Sequence, residues 1–224
     1  MPTHPSNLPV LIPPLGLAGD LRSPADPTGI VIFAHGSGSS RFSPRNQLVA
    51  EALTNQGIAT LLFDLLTEDE ARARENVFDI DLLAQRLISA IDWVTAQATL
   101  ADLPIGLFGA STGAAAALKA AAARRDSVAA VVSRGGRPDL AGAALGQVQA
   151  PTLLIVGGDD EPVLSLNHGA LLRLAGPARL EIVAGATHLF EEPGALEQVM
   201  RLAGAWFGEH LTAASRADRN PTRP

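Results

Sequence analysis

Leu103-Pro-Ile-Gly-Leu-Phe-Gly-Ala-Ser-Thr-Gly113, running into Ala114-Ala-Ala-Ala-Leu-Lys-Ala-Ala-Ala-Ala123, is the stretch that decides the fold. Pro104 to Phe108 reads as a buried strand, and Thr112 to Arg125 as a helix with an alanine-rich body. Between them stands Ser111, with a glycine two residues to either side. A strand that runs straight into a helix must turn sharply, and a side chain at that turn is lifted clear of the sheet. Gly109 and Gly113 remove side chains that would collide there. The helix aims its dipole and free N–H groups at the same place, where they stabilise negative charge. With 21 glycines in 224 residues, this spacing arises by chance about one time in ten. The strand before it and the helix after it therefore carry the reading.

Working outward, strands alternate with helices. Val10 to Ile12 and Leu15 to Leu21 read as short strands broken by Pro13-Pro14. Ile30 to Ala34 is a β-branched buried strand ending in His35-Gly-Ser-Gly38. Pro44 to Gln56 reads as a helix with Ser43 as its N-cap. Further strands are expected at 59–63, 128–132, 152–156 and 180–183. Helices are expected at 77–98, 164–175 and 193–211, and Glu68 to Glu75 as a charged loop or helix start. This alternation predicts an α/β fold, with a mostly parallel sheet covered by helices on both faces. One domain fits the length, with a core over about 9–211 and loose tails at 1–8 and 213–224.

The chain has no cysteine, which excludes disulfides, a thiol nucleophile and cysteine metal sites. The first residues lack a signal-peptide pattern, and no apolar run has the length of a membrane span. A cytoplasmic location is the expectation. The net charge of −6 argues against nucleic acid and anionic membrane as partners. Neither a metal nor an organic cofactor is expected.

A serine is a weak nucleophile at neutral pH and needs a base, which needs an orienting group. In α/β-hydrolases, whose serine turn this segment resembles, the acid and then the histidine follow the serine in the chain. Gly157-Gly-Asp-Asp-Glu-Pro-Val163 follows a strand and offers Asp159, Asp160 and Glu161. Ala184-Gly-Ala-Thr-His188 follows the next strand. His188 is the base expected from that order. His4 lies in the tail, His168 and His210 lie within helices, and His35 precedes the serine. The backbone N–H groups of Ser37 and Thr112 are the expected oxyanion donors. The segment around Ser37 lacks the lysine of a phosphate-binding loop.

His35-Gly-Ser-Gly38, Gly109-Ala-Ser-Thr-Gly113, Gly157 to Val163 and Gly185-Ala-Thr-His188 occur in the order of the α/β-hydrolase superfamily, which the chain resembles over roughly residues 10–211. It looks most like the compact dienelactone-hydrolase-like group without a cap domain. The resemblance to the segment Gly-x-x-Asp-x-x-Val selects Asp160 as the acid. Residues 35–46 and Ser133-Arg-Gly-Gly-Arg-Pro-Asp139 also resemble bacterial hydrolase domains found alone or joined to phosphoribosyltransferases. Dienelactone hydrolases use cysteine where this chain has Ser111, so the expectation is a serine esterase. It would cleave small carboxylic esters through an acyl-enzyme on Ser111. A thioesterase or acyltransferase with the same triad, or a non-catalytic binding protein, are the other readings. The connection Ser133 to Pro151 is too short for a cap and implies an open site.

Two arginine pairs stand out: Arg41 with Arg45 after the expected oxyanion loop, and Arg134 with Arg137 after a strand end. They could hold an anionic group of the substrate. Ion pairing with Glu68, Asp69 and Glu70 is the plainer expectation. Asp64 reads as a turn residue, and Trp93 and Trp206 as packing residues.

Overall fold

The computed structural model describes residues 6–211 of the 224-residue chain. Eight strands form one sheet in the order β1-β2-β4-β3-β5-β6-β7-β8. They are β1 (Ser6–Ile12), β2 (Leu17–Ser23), β3 (Ile30–Ala34), β4 (Ala59–Phe63), β5 (Ile105–Ala110), β6 (Val128–Arg134), β7 (Thr152–Gly157) and β8 (Ala178–Val183). β1 and β2 pair antiparallel at one edge, and every pair from β4 through β8 is parallel.

The helices are α1 (Pro44–Asn55), α2 (Glu68–Arg72), α3 (Arg74–Phe78), α4 (Ile80–Ala96), α5 (Thr112–Ala123), α6 (Glu161–Leu171) and α7 (Ala195–His210). Parallel strands need crossovers, and the helices supply them on both faces. One core holds Ile32, Leu61, Leu107 and Val131 under α4 and α5. The other holds Phe33, Phe108, Val132 and Ile155 under α1 and α7. Alternation along the strands divides these residues between the two faces. Trp93 and Trp206 pack against these cores.

Local starts follow the sequence. Ser43 Oγ accepts from the Asn46 N–H, and Pro44 opens α1. Thr67 and Glu70 form a reciprocal cap at α2. Asp79 caps α4, so the expected start at Val77 moves to Ile80, and Val77 belongs to α3.

Two expectations change, and one connection gains detail. Residues 6–8 belong to β1 rather than to a tail; the rest of the expected tails, 1–5 and 213–224, lies outside the described residues. The short connection after β6 holds Pro138–Gln147, which forms 3₁₀ turns kinked at Gly142. β8 is not covered on both faces: as an edge strand it leaves Ile182 45% exposed.

Candidate active site

The carboxyl ends of β3, β5, β6, β7 and β8 meet at one rim of the sheet, and the site is built there. Ser111 links β5 to α5 with φ 51° and ψ −122°. A non-glycine residue in that region is strained by roughly 1–3 kcal/mol, and the packing around it must hold it there. Two glycines allow it. A Cβ at Gly109 would stand 2.4 Å from the Ala114 Cα, and one at Gly113 would stand 2.2 Å from the Ala34 carbonyl oxygen. So α5 can begin directly against the ends of β5 and β3.

After β7, the Asp160 carboxylate meets His188: His188 Nδ1 donates to Asp160 Oδ2 at 2.7 Å. Asp160 is the partner because its side chain is 11% exposed and turned inward. Asp159 and Glu161 face solvent. A Cβ at Gly157 would stand 2.3 Å from the Ala186 carbonyl oxygen, so glycine lets the acid turn and the histidine loop touch. The Asp159 N–H closes that contact by donating to Ala186 O at 3.0 Å. With Nδ1 committed to the carboxylate, Nε2 of His188 is the nitrogen left with a lone pair.

Gly36 lies against the serine, since a Cβ there would stand 3.1 Å from the Ser111 Cβ. The next residue, Ser37, donates its N–H to Thr112 Oγ1 at 2.9 Å. The two residues expected to supply oxyanion donors are therefore neighbours, and the Thr112 hydroxyl occupies the Ser37 N–H.

His35 has a part that order-based reasoning missed. Its Nδ1 donates to the Gly36 carbonyl at 3.0 Å, and its Nε2 accepts from the Leu65 N–H at 3.1 Å. Gly36 C=O and Ser37 N–H share one peptide plane, so fixing the carbonyl aims the N–H. Burial lowers the His35 pKa below its ordinary value, against smaller raising effects from the Gly36 carbonyl and Asp64. The neutral ring suits its one-donor, one-acceptor bonding. Asn167 was also missed. Fully buried, it donates to Gly136 O at 3.0 Å and holds the turn after β6. Nothing in the sequence around Asn167 marks it, because its partner is 31 residues away.

The four arginines separate. Arg41 pairs with Asp20 and Asp64, and Asp64 Oδ1 also accepts the Arg41 N–H at 2.8 Å. Asp64 is thus an anchor of the loop before α1. Arg45 pairs with Glu191, and Arg137 with Asp139, which raises the Arg137 pKa. Two of the acids expected as partners are engaged elsewhere, Glu70 with Arg86 and Asp69 with Arg72. Arg134 has no ion pair among the described residues.

Beside Ser37 lies a cavity of about 350 Å³, walled by Gly36, Ser37, Leu66, Ala71, Val77 and Leu83 among others. Its floor is the loop that touches Ser111, and its far wall is the α2–α4 segment. Among the described residues, no helix is long and apolar enough to cross a membrane.

A family model described as "Alpha/beta hydrolase domain" matches residues 27–201. A protein of Mycobacterium tuberculosis, named provisionally as a phosphoribosyl transferase, is 60% identical over 210 residues, 94% of this chain and 47% of its own length. The chain thus spans about half the length of the curated relatives it matches. The crystal structure of a dienelactone hydrolase from Anabaena variabilis is 54% identical, with a TM-score of 0.90 over 93% of this chain and all (100%) of the other. Est1E from Butyrivibrio proteoclasticus shares the fold at 17% identity, with a TM-score of 0.76 over 91% of this chain and 98% of its own.

Proposed function

This chain belongs to the alpha/beta hydrolase domain family, and we propose that it is a serine hydrolase that cleaves small carboxylic esters through an acyl-enzyme. One observation carries the reading: the bond between His188 Nδ1 and Asp160 Oδ2 at 2.7 Å, at the same rim as the strained Ser111.

In this reading Ser111 Oγ attacks the ester carbonyl, and its proton passes to His188 Nε2. Asp160 holds the tautomer that leaves Nε2 free and stabilises the imidazolium that forms. The alcohol leaves with that proton. Water, activated by the same nitrogen, then releases the acid. Charge on the carbonyl oxygen is met by the N–H groups of Ser37 and Thr112. The substrate oxygen takes the place that Thr112 Oγ1 holds at Ser37, and a turn of the threonine side chain clears it. The cavity beside Ser37 is suited to an apolar part of a small ester. The serine, rather than cysteine, favours ordinary esters over dienelactones. The transferase name of the mycobacterial relatives belongs to chains about twice as long; the hydrolase reading concerns the half matched here.

Intact-mass spectrometry after exposure to a fluorophosphonate tests this without a guess at the substrate. One adduct on the wild type and none on Ser111→Ala is the expected result. A folded wild-type protein that takes no adduct would turn the reading toward a non-catalytic binding protein.

A further inference from the structure

Arg134 is the last residue of β6, and its neighbours place it beside the reacting groups. Its register partner on β5 is Ala110, and its carbonyl accepts the Ser111 N–H at 3.3 Å. At the following residue, a Cβ on Gly135 would stand 3.6 Å from the His188 imidazole and 3.3 Å from the Phe190 ring. Strand alternation puts the Arg134 side chain on the face of Ala130 and Val132, the face covered by α1 and α7. Arg45, in the first turn of α1, is near enough to act on its charge.

That side chain is only 7% exposed. Its Nε and Nη1 are sealed from solvent without a hydrogen-bond partner, and the Nε of Arg45 is in the same condition. No carboxylate among the described residues answers Arg134. The other three arginines of this rim each have one. Burial, with a smaller effect from Arg45, pushes its guanidinium down to about 10, so it still carries its charge at pH 7. A buried cation without a counter-charge is costly, and folded chains rarely keep one that serves only the fold. A planar guanidinium is suited to an oxyacid anion.

Resting on the hydrolase reading above, we propose that Arg134, supported by Arg45, receives an anionic oxyacid group of the substrate through Nη2, the guanidinium nitrogen that is not sealed off, so that the preferred esters carry a carboxylate or a phosphate close to the scissile bond. The anion supplies the charge that the fold withholds. It also holds the ester by a point away from the reacting carbonyl, which fixes its orientation. Arg45 keeps Glu191 as its own partner and has an unpartnered Nε to offer.

The first test is binding, which needs no turnover. Glutarate and inorganic phosphate are titrated separately into the intact protein by calorimetry. One of them should bind with one-to-one stoichiometry, and which one binds identifies the anion. Arg134→Met should weaken that affinity tenfold or more, and Arg137→Met should not. Melting temperature is the second readout. Without ligand, Arg134→Met should melt higher than wild type, because an unanswered buried charge is gone; a purely structural arginine would give the opposite shift. The third is the ratio of kcat/KM for 4-nitrophenyl hemiglutarate to that for neutral 4-nitrophenyl butyrate. Arg134→Met should lower it tenfold or more, chiefly through KM.

If neither anion binds wild type at 20 mM, the proposal is overturned, even if Arg134→Met fails to fold. Equal binding by wild type and a folded Arg134→Met also overturns it. Anion binding without hydrolysis of either ester would sink the esterase reading and leave the anion site standing. Hydrolysis with no anion binding would do the reverse.

Discussion

Replacing Gly113 by alanine tests the packing that presents Ser111. The new Cβ would stand 2.2 Å from the Ala34 carbonyl oxygen and 2.5 Å from that of His35. Carbon and carbonyl oxygen do not pack closer than about 3.3 Å. Neither neighbour is a side chain that can turn away, so the first turn of α5 and the end of β3 must part by about 1 Å. Overpacking of this kind costs about 3 kcal/mol. In a chain of this size that is roughly 6–12 °C of melting temperature. The displacement falls on the bond from Ser37 N–H to Thr112 Oγ1, and so on the proposed oxyanion donors. A misplacement of about 1 Å at reacting groups lowers rate by roughly 100-fold. The assays are a calorimetric melt and the rate of fluorophosphonate labelling. Gly208→Ala is the control. Gly208 is an exposed residue of α7 with open space where the Cβ would go. There the substitution should stabilise by roughly 0.5–1 kcal/mol. Wild-type melting and labelling for Gly113→Ala would refute the argument that glycine is required by the contact of α5 with β3.

Two further outcomes are expected. Asp160→Asn should slow fluorophosphonate labelling by about 10⁴-fold with the fold intact, because an amide no longer fixes the His188 tautomer; Asp159→Asn, at an exposed position, should stay near wild type, and the reverse pattern would make Asp159 the acid. Acid should weaken the fold through His35. Its folded-state pKa is lowered, so below about pH 6.5 the unfolded chain takes up a proton that the native one refuses. Stability is then lost as pH falls, by up to about 1.4 kcal/mol per unit until the folded pKa is reached. Replacing His35 with glutamine should flatten that slope in urea melts between pH 5 and 7, and an unchanged slope would assign it to other groups.

The parts legible in the sequence are those whose cause is local. The run from Ile105 to Ala123 contains its own strand, turn and helix, so β5, Ser111 and α5 could be placed from it. Ser43-Pro44 marks the start of α1 for the same reason. Strand ends and chain order led to His188 and to the turn after β7, but left Asp159, Asp160 and Glu161 open there; the family resemblance selected Asp160. What could not be read depends on distant partners. Arg45 finds Glu191 at a separation of 146 residues, and Arg41 finds Asp64 across 23. Nothing near either arginine distinguishes it from Arg134, which finds no acid. The exposed face of β8 follows from its place at the sheet edge, and chain order does not reveal strand order. His35 was set aside as the base because it precedes the serine, while its role lies in two bonds, one of them to Leu65, just past β4.

In the sheet, β6 lies between β5, which presents the serine, and β7, which presents the acid. The proposed reacting groups thus straddle a strand that donates none of them. Residues at its tip are free of the demands of bond making, yet stand in the middle of the rim. Substitutions there would change which molecules are accepted while the chemistry stays the same. For an engineer seeking new substrates, Arg134 and Arg137 are the positions to diversify first, with Gly135 and Gly136 kept, since a Cβ at Gly136 would stand 1.9 Å from Ser133 Oγ, and with β5, β7 and β8 left untouched.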